Sequence, residues 1–159
     1  MDVRYINPFI EAVRSVFSTM VQIDVTLGKP QLADNLPKYD ISGIIGMSGD
    51  VVGSVVLSFP GPVAKSVVGK FAGCELALDS PDLADALGEL VNMISGAAKA
   101  KFVGKNVSIS TPSVVVGPGH TIARPSRTVC ISLPCKVYCG EFSIDVAIRE
   151  EVQQSKTAA

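Results

Sequence analysis

The sequence predicts an α+β domain, a largely antiparallel sheet with long amphipathic helices packed on it. Three observations predict it. Two pairs of apolar runs are each split by a short glycine-containing turn, Ser48-Gly49-Asp50 and Cys139-Gly140, which is the pattern of a β-hairpin. Three further segments repeat their apolar residues at helical spacing. These helices stand beside hairpins and do not alternate with single strands, which argues against a doubly wound parallel sheet.

The elements follow in chain order. The first helix is predicted to open at Asn7-Pro8, with asparagine as N-cap and proline preset for the first helical position. Phe9, Ala12, Val13, Val16, Phe17 and Met20 then share one side, and Asn7, Glu11, Arg14 and Ser18 the other. Ile23, Val25 and Leu27 alternate with Asp24 and Thr26, as in a strand. Residues 41–47 and 51–59 form the first hairpin. The second helix starts near Pro62 and stops at Gly73, which suits a C-cap. The third starts at Ser80-Pro81-Asp82 and runs to about Gly104. Residues 107–109 and 114–116 are short strands, and 129–138 with 141–148 make the second hairpin. All of this fits one domain, residues 1–152, followed by a polar tail, 153–159, that frays.

A weak internal repeat runs through these elements. A long helix (7–20) with a later hairpin strand (49–59) is echoed by a second helix (81–102) and strand (140–148). Asn7, Glu11 and Arg14 line up with Asp85, Glu89 and Asn92. Two helices of similar period could also match by chance.

Composition narrows the function. Of 159 residues, 47 % are hydrophobic and 18 % charged, enough to bury a core without disulfides or a structural metal. Fourteen Lys+Arg against fifteen Asp+Glu leave a net charge of −1, which excludes a general nucleic-acid binder and steering toward acidic membranes. Mean hydropathy is positive, +0.38. The longest uncharged stretch, 106–123, is broken by Pro112 and Pro118 and cannot span a membrane as a helix. The first residues lack the basic and apolar regions of a signal peptide, so a cytoplasmic location with four reduced cysteines is expected.

The third helix carries the chemistry. Its inner face is apolar (Leu83, Leu87, Leu90, Val91, Ile94, Ala98), while Asp85, Glu89 and Asn92, three and four residues apart, form one outer ridge. A polar stripe on a surface helix ordinarily only keeps that face wet. Here, however, asparagine is a poor helix former, because its side chain competes for backbone hydrogen bonds. Gly88 and Gly96 flank the ridge, and each costs about 1 kcal/mol relative to alanine in a helix interior. Such residues on an exposed face suit a flat place where another surface lands.

The run 85–96 resembles the signature helix of the CheX/CheC chemotaxis phosphatases: Asp or Ser, then Glu four on, then Asn three further. Residues 6–13, 46–53 and 112–117 are similar to other segments of that family in the same order, so the resemblance spans about residues 4–150. It implies a CheC-like fold with a pseudo-twofold internal repeat. It also implies hydrolysis of the aspartyl phosphate of a CheY-type response regulator, with no metal or covalent intermediate of the chain's own. The partner would supply both the phosphorylated aspartate and its Mg²⁺. By the same resemblance, Asn92 orients a water in line with phosphorus and Glu89 pairs with a lysine of the partner. Asp85 buttresses the ridge, with Gly88 and Gly96 as supporting positions. The residue types suit the work: in-line phosphoryl transfer is mostly positioning, and a neutral amide directs a water without adding negative charge. On the first helix the position matching Asn92 is Arg14, a cation that cannot accept a hydrogen bond from water. One active ridge per chain is therefore expected, with no catalytic role for Glu11.

The resemblance further implies a homodimer through sheet edges, for which 142–148 is the expected exposed edge. The alternative is a non-catalytic docking module of the flagellar-switch type; intact Glu89 and Asn92 favour the enzyme. Other features are set aside. Cys130, Cys135 and Cys139 do not show the paired spacing of a zinc site and read as small buried side chains. His120, the only histidine, falls in Gly117-Pro118-Gly119-His120, which reads as a turn. No phosphate loop or nucleophile elbow is present.

Overall fold

Two β-hairpins lie side by side at the centre of the sheet. In a computed structural model that describes residues 2–35, 37–124 and 126–152, the first hairpin is β3 (Tyr39–Gly49) with β4 (Val51–Phe59). The second is β7 (Ile131–Val137) with β8 (Gly140–Glu150). β4 and β8 pair antiparallel along their length, from Val51↔Glu150 to Ser58↔Ser143. Four further strands complete the sheet: β1 (Thr26–Leu27), β2 (Gln31–Leu32), β5 (Val107–Ile109) and β6 (Ser113–His120). The order is β1-β7-β8-β4-β3-β5, with β2 also on β7 and β6 also on β3. The helices are α1 (Val3–Val16), α2 (Gly61–Ala72) and α3 (Pro81–Lys99).

The order is symmetric about the β4–β8 seam. A helix followed by four strands occurs twice, α1 with β1 to β4 and α3 with β5 to β8. Each half lends its two short strands to the outer strand of the other half's hairpin. This is a pseudo-twofold repeat, with α2 as the connection.

The core lies between one sheet face and the helices. Alternate residues of the strands point into it: Ile41 and Ile45 of β3, Leu57 and Phe59 of β4, Ile144 of β8. They meet Phe9, Phe17, Leu83, Leu87, Leu90 and Ile94, all fully buried. Phe142 stacks on Phe59 and Phe17, with ring centroids 4.6 and 5.2 Å away.

Several expectations change. α1 starts at Val3, capped by Asp2, whose Oδ1 accepts the Arg4 N–H at 2.9 Å; Pro8 sits inside the helix. An interior proline costs about 3 kcal/mol. Continuing the helix past it buries Tyr5 and Ile6, each worth about 1.5–3 kcal/mol for a side chain of that size, so burial wins. Met20 is 50 % exposed, because the chain from Phe17 to Val21 forms a wider π-helical turn that brings Val21 inward instead. α3 stops at Lys99, where two turns close before Gly104 (φ +69°). The strand expected at 23–27 reduces to β1, and β2 appears only through its pairing with Ser132 and Ile131. β6 runs on through Gly117-Pro118-Gly119-His120, so His120 is not in a free turn but lies opposite Tyr39. The segment 142–148 is not an edge: β8 is paired by β4 on one side and β7 on the other. The tail 153–159 lies outside the described residues.

Candidate functional site

α3 is held at both ends by its sequence. Ser80 caps it and accepts the Asp82 N–H at 3.2 Å, Pro81 occupies the first turn, and Lys99 stands in the last. Leu83, Leu87, Leu90, Val91, Ile94 and Ala98 are fully buried, which fixes the rotation of the helix. The opposite side then presents Asp85 and Glu89 to solvent and leaves Asn92 half-buried. The three expected residues do form one ridge.

Among the described residues their polar groups have no partner. Among the described residues no hydrogen bond joins the Asn92 carboxamide to the rest of the chain. The side-chain polar atoms buried without a partner belong, among the described residues, to Ser95, Arg124 and Asp145. The described ion pairs leave Asp85 and Glu89 out. On α1 the matching Glu11 is bonded to Lys101. The two ridges of the repeat therefore differ in kind, one tied down and one open.

The glycines play a different part from the one expected. Gly88 is buried, not an exposed landing place, and a Cβ there would lie 3.2 Å from Pro112 Cγ. It lets α3 approach the chain entering β6. Gly96 is half-buried, with space for a Cβ whose nearest neighbour is Ile109 Cδ1 at 4.0 Å. Sequence reasoning missed the Ser110-Thr111-Pro112 connection beside the ridge, because nothing local ties it to α3.

The remaining polar residues lie elsewhere. Gly43 faces Val91 and Leu87 of α3, so its neighbour Ser42 points to the helix-free face of the sheet. There Ser42 Oγ is 2.8 Å from His120 Nε2 and 2.7 Å from Ser58 Oγ, while His120 Nδ1 bonds the Gly117 carbonyl at 2.7 Å. The histidine is a tie between strands, away from the ridge. On the same face Arg124 pairs with Asp145 at 2.7 Å. Cys130 and Cys135 are buried, Cys74 is exposed, and no metal-binding cluster of His, Cys, Asp and Glu occurs among the described residues. Burial pushes the Cys135 thiol up to about 12.

Two concave pockets lie away from the ridge. One of about 580 Å³ is lined by Tyr39, Arg124 and Ser143, and one of about 890 Å³ by Lys65, Lys70 and Cys74. Neither includes Asp85, Glu89 or Asn92. A small substrate is usually enclosed by a cleft; an outward helix ridge whose amide and two carboxylates have no partner among the described residues suits contact with another protein.

Comparison with known proteins shows the family. The family model described as Chemotaxis phosphatase CheX matches residues 41–136. The chain is 30 % identical over 154 residues to the CheY-P phosphatase CheX of Thermotoga maritima, covering 94 % of this chain and 98 % of that one. A CheC-like superfamily protein from Shewanella superposes with a TM-score of 0.86 at 35 % identity, covering 94 % and 99 %. The fold is also similar (TM-score 0.73, 23 % identity, covering 92 % and 98 %) to the crystal structure of the CheX-CheY-BeF3-Mg²⁺ complex from Borrelia burgdorferi. No helix among the described residues is long and apolar enough to cross a membrane. With the matched residues spanning most of the chain, and a relative aligned almost end to end, the chain belongs to the CheX family of chemotaxis phosphatases.

Proposed function

We propose that α3 enters the phosphorylation site of a CheY-type response regulator and hydrolyses its aspartyl phosphate. Water attacks phosphorus, the bond to the aspartate oxygen breaks, and inorganic phosphate leaves a free carboxylate. Asn92 accepts a hydrogen bond from that water and holds it in line with the breaking bond. Glu89 meets a cation of the receiver and fixes the register, and Asp85 steadies the ridge one turn away. The receiver brings the Mg²⁺ that balances the phosphoryl charge, as a CheY and Mg²⁺ occur together with the Borrelia CheX. The site of action is the cytoplasm, where receivers of this type work.

The observation that carries this reading is the Asn92 carboxamide. Among the described residues it has no hydrogen-bond partner and the neighbouring Glu89 no ion pair, and the other face of the helix is fully buried. The test follows phosphoryl decay on the receiver. Wild type accelerates it; Asn92→Ala lowers kcat by about 10²-fold or more while the receiver still binds, and Glu89→Lys weakens binding. Full activity in Asn92→Ala overturns the assignment. Binding without any acceleration by wild type indicates a docking module instead.

A homodimer through a sheet edge is part of the same proposal, with β6 in place of β8. β6 pairs only with β3 among the described strands, and Val116 on it is 47 % exposed. Sedimentation equilibrium is expected to give twice the chain mass for wild type and the chain mass for Val116→Lys. A monomeric wild type removes the dimer.

A further inference from the structure

Asn92 lies between two places where α3 touches the chain that runs from β5 into β6. One turn before it, a Cβ at Gly88 would lie 3.2 Å from Pro112 Cγ and 3.6 Å from Val114 Cγ2. One turn after it, a Cβ at Gly96 would lie 4.0 Å from Ile109 Cδ1, and the Lys99 ammonium donates to the Val107 carbonyl at 3.0 Å. Residues four apart on a helix stack in one row. Asn92 therefore faces the stretch between Ile109 and Pro112.

That stretch is pinned from below. The Ser110 N–H donates to the Gly46 carbonyl at 2.9 Å, the Gly46 N–H donates to Ser110 Oγ at 2.9 Å, and Ser110 Oγ donates to the Thr111 carbonyl at 2.8 Å. Yet Thr111 and Pro112 themselves are exposed. A body that covers Asn92 from outside also covers these two side chains.

We propose that Thr111 and Pro112 form the second half of the surface on which the phosphorylated receiver docks, and that Gly88 is a positioning residue setting the height of that half relative to Asn92. The proposal rests on the ridge reading given above. Both side chains are uncharged, so they read the shape of the receiver and leave charge recognition to Glu89. A fixed wall limits tilting of the docked receiver, and in-line attack tolerates little misplacement: about 1 Å can cost about 10²-fold. A side chain at position 88 would press on Pro112 and lift the wall by a few tenths of an ångström.

The test uses a CheY-type receiver whose phosphoryl decay the wild-type chain accelerates. Decay gives kcat and KM, and the BeF3-Mg²⁺-loaded receiver gives affinity. Thr111→Lys is expected to weaken affinity for the loaded receiver about tenfold and to raise KM in step. Its urea midpoint stays at the wild-type value. Gly88→Ala is expected to lower kcat more than it raises KM, and adding Pro112→Ala, which removes the Cγ, restores kcat. Asn92→Ala runs alongside. Wild-type KM in Thr111→Lys, with Asn92→Ala inactive, overturns the wall and leaves the ridge standing. An active Asn92→Ala overturns the ridge itself. Failure of Pro112→Ala to restore kcat overturns the role of Gly88.

Discussion

Asn92 combines two hydrogen-bonding groups with no charge, and that is what the proposed step requires of a single residue. An aspartate there would face the phosphoryl oxygens with like charge, and a leucine would leave the water free to wander. The residue was legible because asparagine is out of place in a helix interior by propensity, and propensity is local. Tyr5 and Cys135 are the acids that the fold holds furthest above their ordinary values. The Tyr5 hydroxyl is pushed up to about 12, mainly by burial and then by its bond to Glu150. Burial pushes the Cys135 thiol up to about 12 as well. Both are acids whose neutral form the fold favours. Their stabilisation is complete below the ordinary values of 9 for the thiol and 10 for the phenol, and is lost as pH rises toward about 12. The urea midpoint is expected to hold to pH 9 and then fall, and Tyr5→Phe to flatten the part of the fall above pH 10. A Tyr5→Phe curve superimposable on wild type would show that the phenol does not contribute.

At the scale of elements, the hairpins and helices follow from short-range rules. Ser80-Pro81 starts α3 and Gly73 (φ +76°) ends α2 as their types dictate. α1 departed from its apparent start because Asp2 and the buried Tyr5 outweigh the proline signal, a competition settled by Phe102 across the core, whose ring meets Tyr5 edge-on at 5.2 Å. Within β4, Gly53 adopts φ +142°, and a Cβ on it would lie 2.0 Å from the Ala147 carbonyl oxygen of β8. Gly53→Ala forces the central seam apart. It is expected to lower unfolding free energy by about 2 kcal/mol or more in urea titration. A change within about 0.5 kcal/mol would mean that the seam relaxes freely.

At the scale of the molecule, the repeat places α3 above one sheet margin, so that its outer side meets the β5–β6 connection and leaves the ridge open. The helix-free face is closed by Arg124. Its guanidinium donates to the carbonyls of Ala33 and Asn35 at 2.9 and 2.6 Å and pairs with Asp145 of β8. Both side chains of the pair are mostly buried, at 15 % and 13 % exposure. Removing one partner leaves a buried charge alone, so Asp145→Ala is expected to cost about 3 kcal/mol of unfolding free energy, read from the urea midpoint. A loss below about 1 kcal/mol would mean that water replaces the carboxylate.

The sequence by itself determined the two hairpins, the inward face of α3 and the ridge of Asp85, Glu89 and Asn92. Each depends on spacing within a few turns or strand residues, and such spacing is written locally. Only the tertiary structure decided that β8 is central and β6 marginal, that His120 ties Ser42 and not the ridge, and that Pro112 stands against Gly88, one turn before Asn92. Those facts depend on which distant segments become neighbours. Gly88 and Pro112 meet because the burial of the whole helix face and the pairing of β6 with β3 bring them together, and no window of sequence contains both requirements.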